Sequence, residues 1–269
     1  MRMGSRFTFL RDVEGWKRFA FEVAIVVVGI LLAIWLDGMV SDWRTAKQAQ
    51  YHRKLIESEL VNYRIDMLER LNSEPCRVAQ VTALHDALMA DGGDWPGTVS
   101  VLQTAGINPP ENTFTPLTLI QTPVRLIRIG SFEAARQAGV LDSFKPSDVV
   151  VYQVLYDLSK TQVDWQWQLI ERNAKLYRLK LAGPMSEEER RDALADLAEF
   201  DQHGRLLAIS ARQGIDAMDE LLPFSLSANT IKNYEQRYEQ RKASLMKDYG
   251  DCAVFPEHLF DPIEDFNKG

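Results

Sequence analysis

The residues that most often carry catalysis or bind metals are few in this chain and stand apart from one another. Its 269 residues include four histidines and two cysteines, Cys76 and Cys252. That is too few cysteines for a cysteine-based zinc site. His85 and Asp86 could supply two ligands, but adjacent residues of a helix point in different directions, so we expect no metal there. The common hydrolase and phosphate-binding motifs are also absent from the sequence. We therefore predict no catalytic residue, no metal site, no cofactor and no enzyme activity.

Acidic residues are plentiful, but their spacing is that of a helix surface. They are interleaved with arginine and lysine at helical intervals, a pattern typical of a solvated helix face. We therefore expect these carboxylates to face solvent rather than to form an acid–base site. The residues concerned are Glu57, Glu59, Asp66 and Glu69 in one stretch and Glu187, Glu188, Glu189, Asp192 and Asp196 in another.

One apolar run near the N-terminus has the length of a membrane span. Residues 19–36 are eighteen residues interrupted only by Glu22, which is the lower limit for crossing a bilayer. A signal-peptide core and a buried globular helix are the alternatives. We favour an anchor because no small-residue cleavage site follows and because Trp16 and Trp35 flank the run as an aromatic belt would. The predicted span is marked by Phe19, Val23, Val27, Leu31 and Leu36.

The charge distribution indicates an orientation and excludes one class of partner. Residues 1–18 carry five cations and two anions, a net charge of +3. Because the whole chain has a net charge of −7, the remaining residues carry −10. Cations before a span favour the cytoplasmic side. An acidic main domain is a poor binder of nucleic acid. We expect a bacterial inner-membrane protein with a cytoplasmic N-terminus and a periplasmic domain.

Two pairs of residues suggest covalent or close contacts. Gly29 and Ala33 form a small-x-x-x-small pair, which lets transmembrane helices approach closely and marks a predicted helix-association face. Cys76 and Cys252 either form one disulfide or remain two free thiols. Helices that alternate in direction after the membrane would bring both cysteines to the membrane-distal end. A bond then requires Cα atoms within about 7 Å.

Helical periodicity continues beyond the apolar run and defines the remaining elements. We predict one helix up to Glu74, a second from Pro75 to Gly92, and a short one over residues 132–138 with Ser131 as its N-cap. Three long helices follow, over 147–181, 186–222 and 229–249. The first has Val163, Trp167 and Tyr177 on its predicted apolar face, and Ser186 and Glu189 form a capping box at the start of the second. The third of the six predicted helices begins after an irregular, proline-rich segment, 91–130. Its apolar pieces 114–120 and 124–129 form a hairpin or lie in a groove.

These elements predict an all-α fold: one N-terminal transmembrane helix that continues into an antiparallel helical bundle with one irregular segment. The predicted organisation is a basic cytoplasmic tail (1–18), a transmembrane helix (19–36), an extracytoplasmic bundle (37–250) and an acidic C-terminal tail (251–269).

A family resemblance points in the same direction. The apolar stretch from Phe21 to Ile34, followed by Trp43-Arg44 and a charged helix, resembles a bacterial family of uncharacterised proteins, domain of unknown function 6090. The likeness is specific over about residues 16–70 and extends loosely to 127–141. It implies a membrane-anchored helical domain and supplies no activity, ligand or catalytic residue.

The sequence thus favours a non-catalytic accessory or scaffold subunit of an inner-membrane complex. Its expected partners are membrane lipid and either other membrane subunits or a second copy of the chain. The alternative is an extracytoplasmic ligand-binding module, similar to a sensor domain, that acts through a partner. An enzyme is the third hypothesis and would need distant polar groups that converge in one pocket.

Overall fold

The structure is a computed structural model and describes residues 13–90, 93–107, 119–125, 130–225, 228–257 and 259. The chain divides into two compact units, residues 1–51 and residues 52–269. Among the described residues all regular structure is helical and no β-strand is present, which confirms the predicted all-α class.

The described residues form six α-helices and three short 3-10 helices. The α-helices are α1 (Val13–Met89), α2 (Thr98–Thr104), α3 (Ser131–Gln137), α4 (Pro146–Lys175), α5 (Glu187–Ser225) and α6 (Ala228–Tyr249). The 3-10 helices cover Leu141–Ser143, Leu176–Lys180 and Gly250–Cys252.

In the first unit, α1 is exposed on all sides over its apolar stretch. No residue of its most apolar eighteen-residue window is buried within the chain, and the helix is long and apolar enough to cross a membrane. Residues 1–12, most of the predicted basic tail, lie outside the described residues.

The predicted break at Pro75 is wrong, because α1 runs through this proline to Met89. A proline inside a helix removes one hydrogen bond and costs about 3 kcal/mol. Tertiary contacts around Pro75 offset that cost. Leu71 and Cys76 are buried, and the carbonyl of Asn72 accepts a hydrogen bond from the backbone N–H of Val254 (3.2 Å). No separate second helix returns along the first.

In the second unit, α4 runs parallel to α1, and α5 runs antiparallel to both. Arg53 of α1 contacts Asp148 of α4, and Arg70, further along α1, contacts Gln166, further along α4. The two helices therefore run in the same direction. Between α4 and α5, the contacts of Gln162 with Ser210 and of Arg178 with Asp196 run in opposite directions. The antiparallel pairing predicted for the long helices α4 and α5 is therefore confirmed.

The start of α5 follows from its sequence, whereas its end does not. The Ser186 backbone N–H donates to the Glu189 carboxylate (2.8 Å), and the Glu189 N–H donates to the Ser186 hydroxyl (3.2 Å), the reciprocal capping box that was predicted. The predicted end at Leu222 is wrong, since α5 continues through Pro223 to Ser225. The final helix, α6, matches its predicted bounds within one residue.

The cap of α3 comes from a distant residue. We predicted Ser131 as its N-cap, but Ser131 is the first helical residue, and Glu59 of α1 caps the helix instead. The Glu59 carboxylate accepts hydrogen bonds from the N–H groups of Gly130 (3.0 Å) and Ser131 (2.9 Å). The negative charge of Glu59 at the N-terminal end of α3 also interacts favourably with the helix dipole. Just after the end of α3, Gly139 has a φ of 68°, a left-handed conformation that favours glycine.

An apolar cluster fills the part of the second unit where α1, α4 and α5 meet the irregular segment. Trp95 anchors that segment: its backbone pairs with Gly183 (2.7 and 2.9 Å), and its indole donates to the Leu179 carbonyl (2.6 Å). The buried members of the cluster are Leu84, Leu88, Trp95, Val101, Ile120, Leu169, Leu176, Leu179, Ala193, Leu197, Phe200 and Leu207.

Candidate functional site

Residues 119–125 contact both α1 and α4, and we call this segment the strap. It contains neither helix nor strand. The described ends of the two predicted apolar pieces, 119–120 and 124–125, contact α4 and α1. The rest of the predicted pieces, residues 114–118 and 126–129, lies outside the described residues. Side chains of α1 and α4 hold the strap in place.

Asn173 of α4 holds the first part of the strap. Its Oδ1 accepts hydrogen bonds from the backbone N–H groups of Leu119 (2.6 Å) and Ile120 (3.2 Å), and its Nδ2 donates to the Ile120 carbonyl (2.7 Å). Asn173 and Ile120 are both fully buried. One side-chain amide thus satisfies both polar backbone groups of Ile120.

Gln166, two turns earlier on α4, holds the other end in the same way. Its Oε1 accepts from the Arg125 N–H (3.1 Å), and its Nε2 donates to the Arg125 carbonyl (2.8 Å). Arg70 of α1 supports this arrangement by donating to the Gln166 Oε1 (2.8 Å) and to the Pro123 carbonyl (3.3 Å). We call Asn173 and Gln166 the amide clamps.

A third amide acts from α1. The Oε1 of Gln80 accepts a hydrogen bond from the backbone N–H of Gln121 (3.0 Å). A buried N–H or C=O without a partner costs free energy, so these three amides stabilise a half-buried strap that has no secondary structure of its own.

A charged centre lies beside the second amide clamp. The fully buried carboxylate of Glu69 accepts two hydrogen bonds from the Arg125 guanidinium, one of 2.6 Å from Nε, and a third from the Nη2 of Arg241 on α6 (3.1 Å). Glu69 therefore joins α1 to both the strap and α6. Paired guanidinium–carboxylate contacts of this kind are the strong form of the hydrogen bond.

Two neighbours of Glu69 have altered titration behaviour. Burial raises the pKa of Asp66 to about 6, and the negative charge of Glu69 adds to this effect. Burial, followed by the charge of Glu69, also raises the pKa of the Tyr249 hydroxyl well above its ordinary value. In this centre negative charge accumulates at Asp66 and Glu69 and is balanced by Arg70, Arg125 and Arg241.

The chemistry of this site is that of holding a segment of the chain's own backbone. The clamps supply donors and acceptors at fixed positions, and Glu69 supplies one anionic contact for a guanidinium. Within the part of the chain that the structure describes, no group of three or more His, Cys, Asp and Glu side chains could hold a metal ion.

Cys76 and Cys252 form a disulfide bond, one of the two predicted alternatives. The sulfur atoms of Cys76 and Cys252 lie 1.99 Å apart, and the Cα atoms lie 5.1 Å apart, inside the limit that we set. The chain reversal predicted at Pro75 is wrong, since α1 continues through that residue to Met89. The bond forms because α6 runs parallel to α1, with Arg241 opposite Glu69 and Cys252 opposite Cys76.

The residues predicted for the membrane span lie on α1 and are all exposed. Their exposed fractions are 44–59% for Phe19, Val23, Val27, Leu31 and Leu36. Gly29 and Ala33 lie on the same helix, and a Cβ at Gly29 would meet no atom within 4 Å. The association of two helices through Gly29 and Ala33 stays a prediction.

The solvated face predicted for the first acidic stretch is partly wrong. Glu69 and Glu57 are buried, and Asp66 is half-buried. The reason is that Glu69 has cationic partners 56 and 172 residues away along the chain. The side chains of His85 and Asp86, which we expected to point in different directions, approach each other to 3.2 Å between Nδ1 and Oδ1 on the surface.

Sequence reasoning missed the amide clamps because it looked for apolar stripes. The face proposed for α4 included Val163, Trp167 and Tyr177, of which Trp167 and Tyr177 are exposed. The buried face is displaced by one residue and is rich in polar residues. A usable signal was present: uncharged polar residues recur at helical spacing with apolar ones at Tyr152, Leu155, Ser159, Gln162, Gln166, Leu169, Asn173 and Leu176.

Compared with known protein families, with curated proteins and with solved structures, the chain matches none of them. The resemblance to the uncharacterised membrane-anchored family therefore stays a prediction.

Proposed function

We propose that the chain is a non-catalytic accessory or scaffold subunit of an inner-membrane complex, anchored by α1 and carrying its second unit on the periplasmic side. The observation that carries this proposal is the exposed apolar stretch of α1. Burying the apolar side chains of residues 19–36 in lipid is favourable, whereas exposing them to water is not.

The orientation is supported by two independent features. The cations before the span favour a cytoplasmic N-terminus. The Cys76–Cys252 bond suits an oxidising compartment, which the periplasm provides and the cytosol does not. Both features favour the second unit on the periplasmic side.

The scaffold role is supported by how firmly the second unit is fastened. Its helices are joined by ion pairs between distant parts of the chain. Glu69 binds Arg125 and Arg241, and Arg77 binds Asp201 of α5 (2.9 Å) as well as Glu74. With the disulfide, these contacts favour a rigid body that braces a partner rather than one that opens and closes during a reaction.

The test is gentle purification of the native chain from its own membranes, followed by mass spectrometry of everything that accompanies it. We expect the chain to stay in the membrane fraction after an alkaline wash and to bring a stoichiometric set of membrane subunits. A chain that the wash releases would contradict the anchor. One that purifies alone would contradict the accessory role.

A second experiment tests the orientation. Acid-quenched native membranes are treated with a mass-tagged alkylating reagent before and after reduction. We expect no tagged cysteine before reduction and tagging of both Cys76 and Cys252 after it. Tagging without reduction would place the second unit in a reducing compartment and contradict the periplasmic location.

A further inference from the structure

The apolar character of α1 continues beyond residue 36 on one face of the helix. Leu36, Val40, Trp43 and Lys47 are spaced by four, three and four residues. Because each residue of an α-helix turns by about 100°, these four side chains lie within an arc of about 60°. All four are exposed. We call them the stripe.

The opposite face of the same helical turns is small and polar. The last large apolar residue on that side is Ile34, whereas the stripe carries large apolar residues as far as Trp43. An apolar environment therefore suits the stripe for about two turns longer than it suits the opposite face. The residues of the opposite face are Gly38, Ser41 and Thr45, flanked by Asp37 and Asp42, and all of them are exposed.

The length of α1 up to the stripe matches the thickness of a bilayer. Residues 19–36 rise by about 26 Å along the helix, whereas a typical hydrocarbon core is about 30 Å thick. Counting from Phe19 to Val40 gives a rise of about 32 Å, which is enough to cross the core. Trp43 then lies about 5 Å beyond Val40, within a headgroup layer that adds about 5–7 Å on each side.

Trp43 and Lys47 have the chemistry of a contact with lipid headgroups. Tryptophan is enriched at this depth because its ring is apolar and its N–H is polar. The Nζ of Lys47 lies 5.2 Å from the centre of the Trp43 ring. The lysine side chain therefore reaches back along α1 toward the apolar stretch, as lysines near the ends of membrane spans do. Lipid phosphate is the anion that an ammonium meets at that depth.

A second copy of the chain is the other occupant of this face, since the stripe continues the spacing of Gly29 and Ala33. In a helix pair, Trp43 and Lys47 would lie at the seam, where paired helices favour branched aliphatic residues and where a lysine lowers stability. Lipid suits both side chains, because the ring lies among headgroups and the ammonium meets a phosphate. The stripe therefore favours lipid over a second helix.

We infer that the stripe stays in contact with lipid through the headgroup layer at the C-terminal end of the span, with Lys47 bound to a lipid phosphate. The hydrocarbon boundary is then oblique to α1. It lies near Ile34 on the polar face and near Val40 on the stripe. This inference deepens the proposed function and rests on it, because it requires α1 to cross a membrane.

The test measures the surroundings of single nitroxide labels on the full chain in vesicles of phosphatidylcholine and phosphatidylglycerol. Cys76 and Cys252 are joined, so a maleimide nitroxide labels only an introduced cysteine. Power saturation compares collisions with oxygen, which concentrates in lipid, and with a nickel chelate, which stays in water. Val40→Cys on the stripe and Gly38→Cys on the polar face form a matched pair, about 3 Å apart along the helix axis.

We expect oxygen to dominate at Val40 and the nickel chelate to dominate at Gly38, although Gly38 is closer to the middle of the span. The same preference at both positions would overturn the inference. Exclusion of both reagents at Val40 would also overturn it, because protein would then cover the stripe. A third label, Val27→Cys, distinguishes these failures from failure of the proposed function, since a preference for the nickel chelate there would contradict the membrane anchor itself.

Two charge reversals test the contact with phosphate. Lys47→Glu places an anion beside lipid phosphate, whereas Lys54→Glu makes the same change at an exposed lysine about 10 Å further along the helix. We expect the first to lower the ratio of oxygen to nickel collisions at Val40 toward the value at Gly38 and the second to leave it unchanged. Equal effects of the two would overturn the assignment of Lys47 to a lipid phosphate.

Discussion

Two regions of the same helix, α1, differ in which side chains they bury and which they expose. Over residues 19–36 its side chains are apolar and exposed, whereas over residues 56–77 Arg64, Glu69, Arg70 and Arg77 are charged and buried. In the second region each of these charges has a partner from another element. In the first region, lipid is the partner that we propose. The comparison shows that surroundings, rather than helix propensity, decide which side chains a long helix buries.

The largest effect on stability should come from breaking the disulfide at the end of the buried region of α1. The Cys76–Cys252 bond joins residues 176 apart. A crosslink over such a loop stabilises by about 5 kcal/mol, because it restricts the unfolded chain. We expect reduction to lower the free energy of urea unfolding of the detergent-solubilised chain by about this amount. The double variant Cys76→Ser/Cys252→Ser should lose the same amount without reductant. Unchanged unfolding in both would show that the buried region does not depend on the bond.

Glu69→Gln tests whether the buried charges stabilise only as sets. The variant leaves Arg125 and Arg241 facing a neutral amide, and breaking a buried pair in this way costs about 3 kcal/mol. Urea unfolding monitored by circular dichroism measures the loss. The control is Glu171→Gln, an exposed carboxylate of α4, for which we expect a change within about 0.5 kcal/mol. Similar effects at the two sites would contradict the contrast between buried and exposed charge.

Asp66→Asn tests the cost of a half-buried charge through its pH dependence. The pKa of Asp66 is about 6 in the folded chain and 3.8 ordinarily, so the folded state favours the protonated form. Stability from this group is therefore complete below pH 3.8 and is lost as the pH rises through 6. We expect the variant to be more stable than the unmodified chain by roughly 1–3 kcal/mol at pH 8 and no more stable at pH 3.

Thermal unfolding of both chains across this range of pH provides the measurement. The other carboxylates cancel when the two chains are compared at each pH. A difference that is constant from pH 3 to pH 8 would show that Asp66 acts through packing rather than through its charge.

Much of the helical architecture could be predicted because its signals are local. The capping box of Ser186 and Glu189 gave the start of α5, and periodicity gave α4 and α6 within a few residues. The Cys76–Cys252 pair was predictable as one of two alternatives. The course of α1 past Pro75 was not, because the contacts of Cys76 and Asn72 that offset the proline come from residues after 250.

The candidate site was hidden for a related physical reason. A pattern of apolar residues marks burial only where the buried face is apolar, and on α4 that face carries Gln162, Gln166 and Asn173. Amides can be buried there because the strap supplies backbone partners for Gln166 and Asn173. Those partners lie 41 and 53 residues away along the chain and follow no periodic pattern.

The smallest effect should come from adding one methyl group at Gly214 of α5, which packs against the second region of α1, or at Gly38 of α1, two residues beyond the apolar stretch 19–36. At Gly214 of α5 a Cβ would lie 2.6 Å from the sulfur of Met67, and Met67 is buried in the second region of α1. Gly214→Ala should therefore destabilise by about 1 kcal/mol, since overpacking outweighs the gain in helix propensity. At Gly38 of α1 nothing lies within 4 Å of the added atom. Gly38→Ala should be neutral or stabilising by up to about 1 kcal/mol.

Thermal unfolding followed by circular dichroism compares the two variants. Because the substitution is the same, a difference in sign can come only from the surroundings of each glycine. Destabilisation by Gly38→Ala would mean that this part of α1 is packed closely against another protein in the micelle. Such a result would place a second chain against α1 next to its apolar stretch.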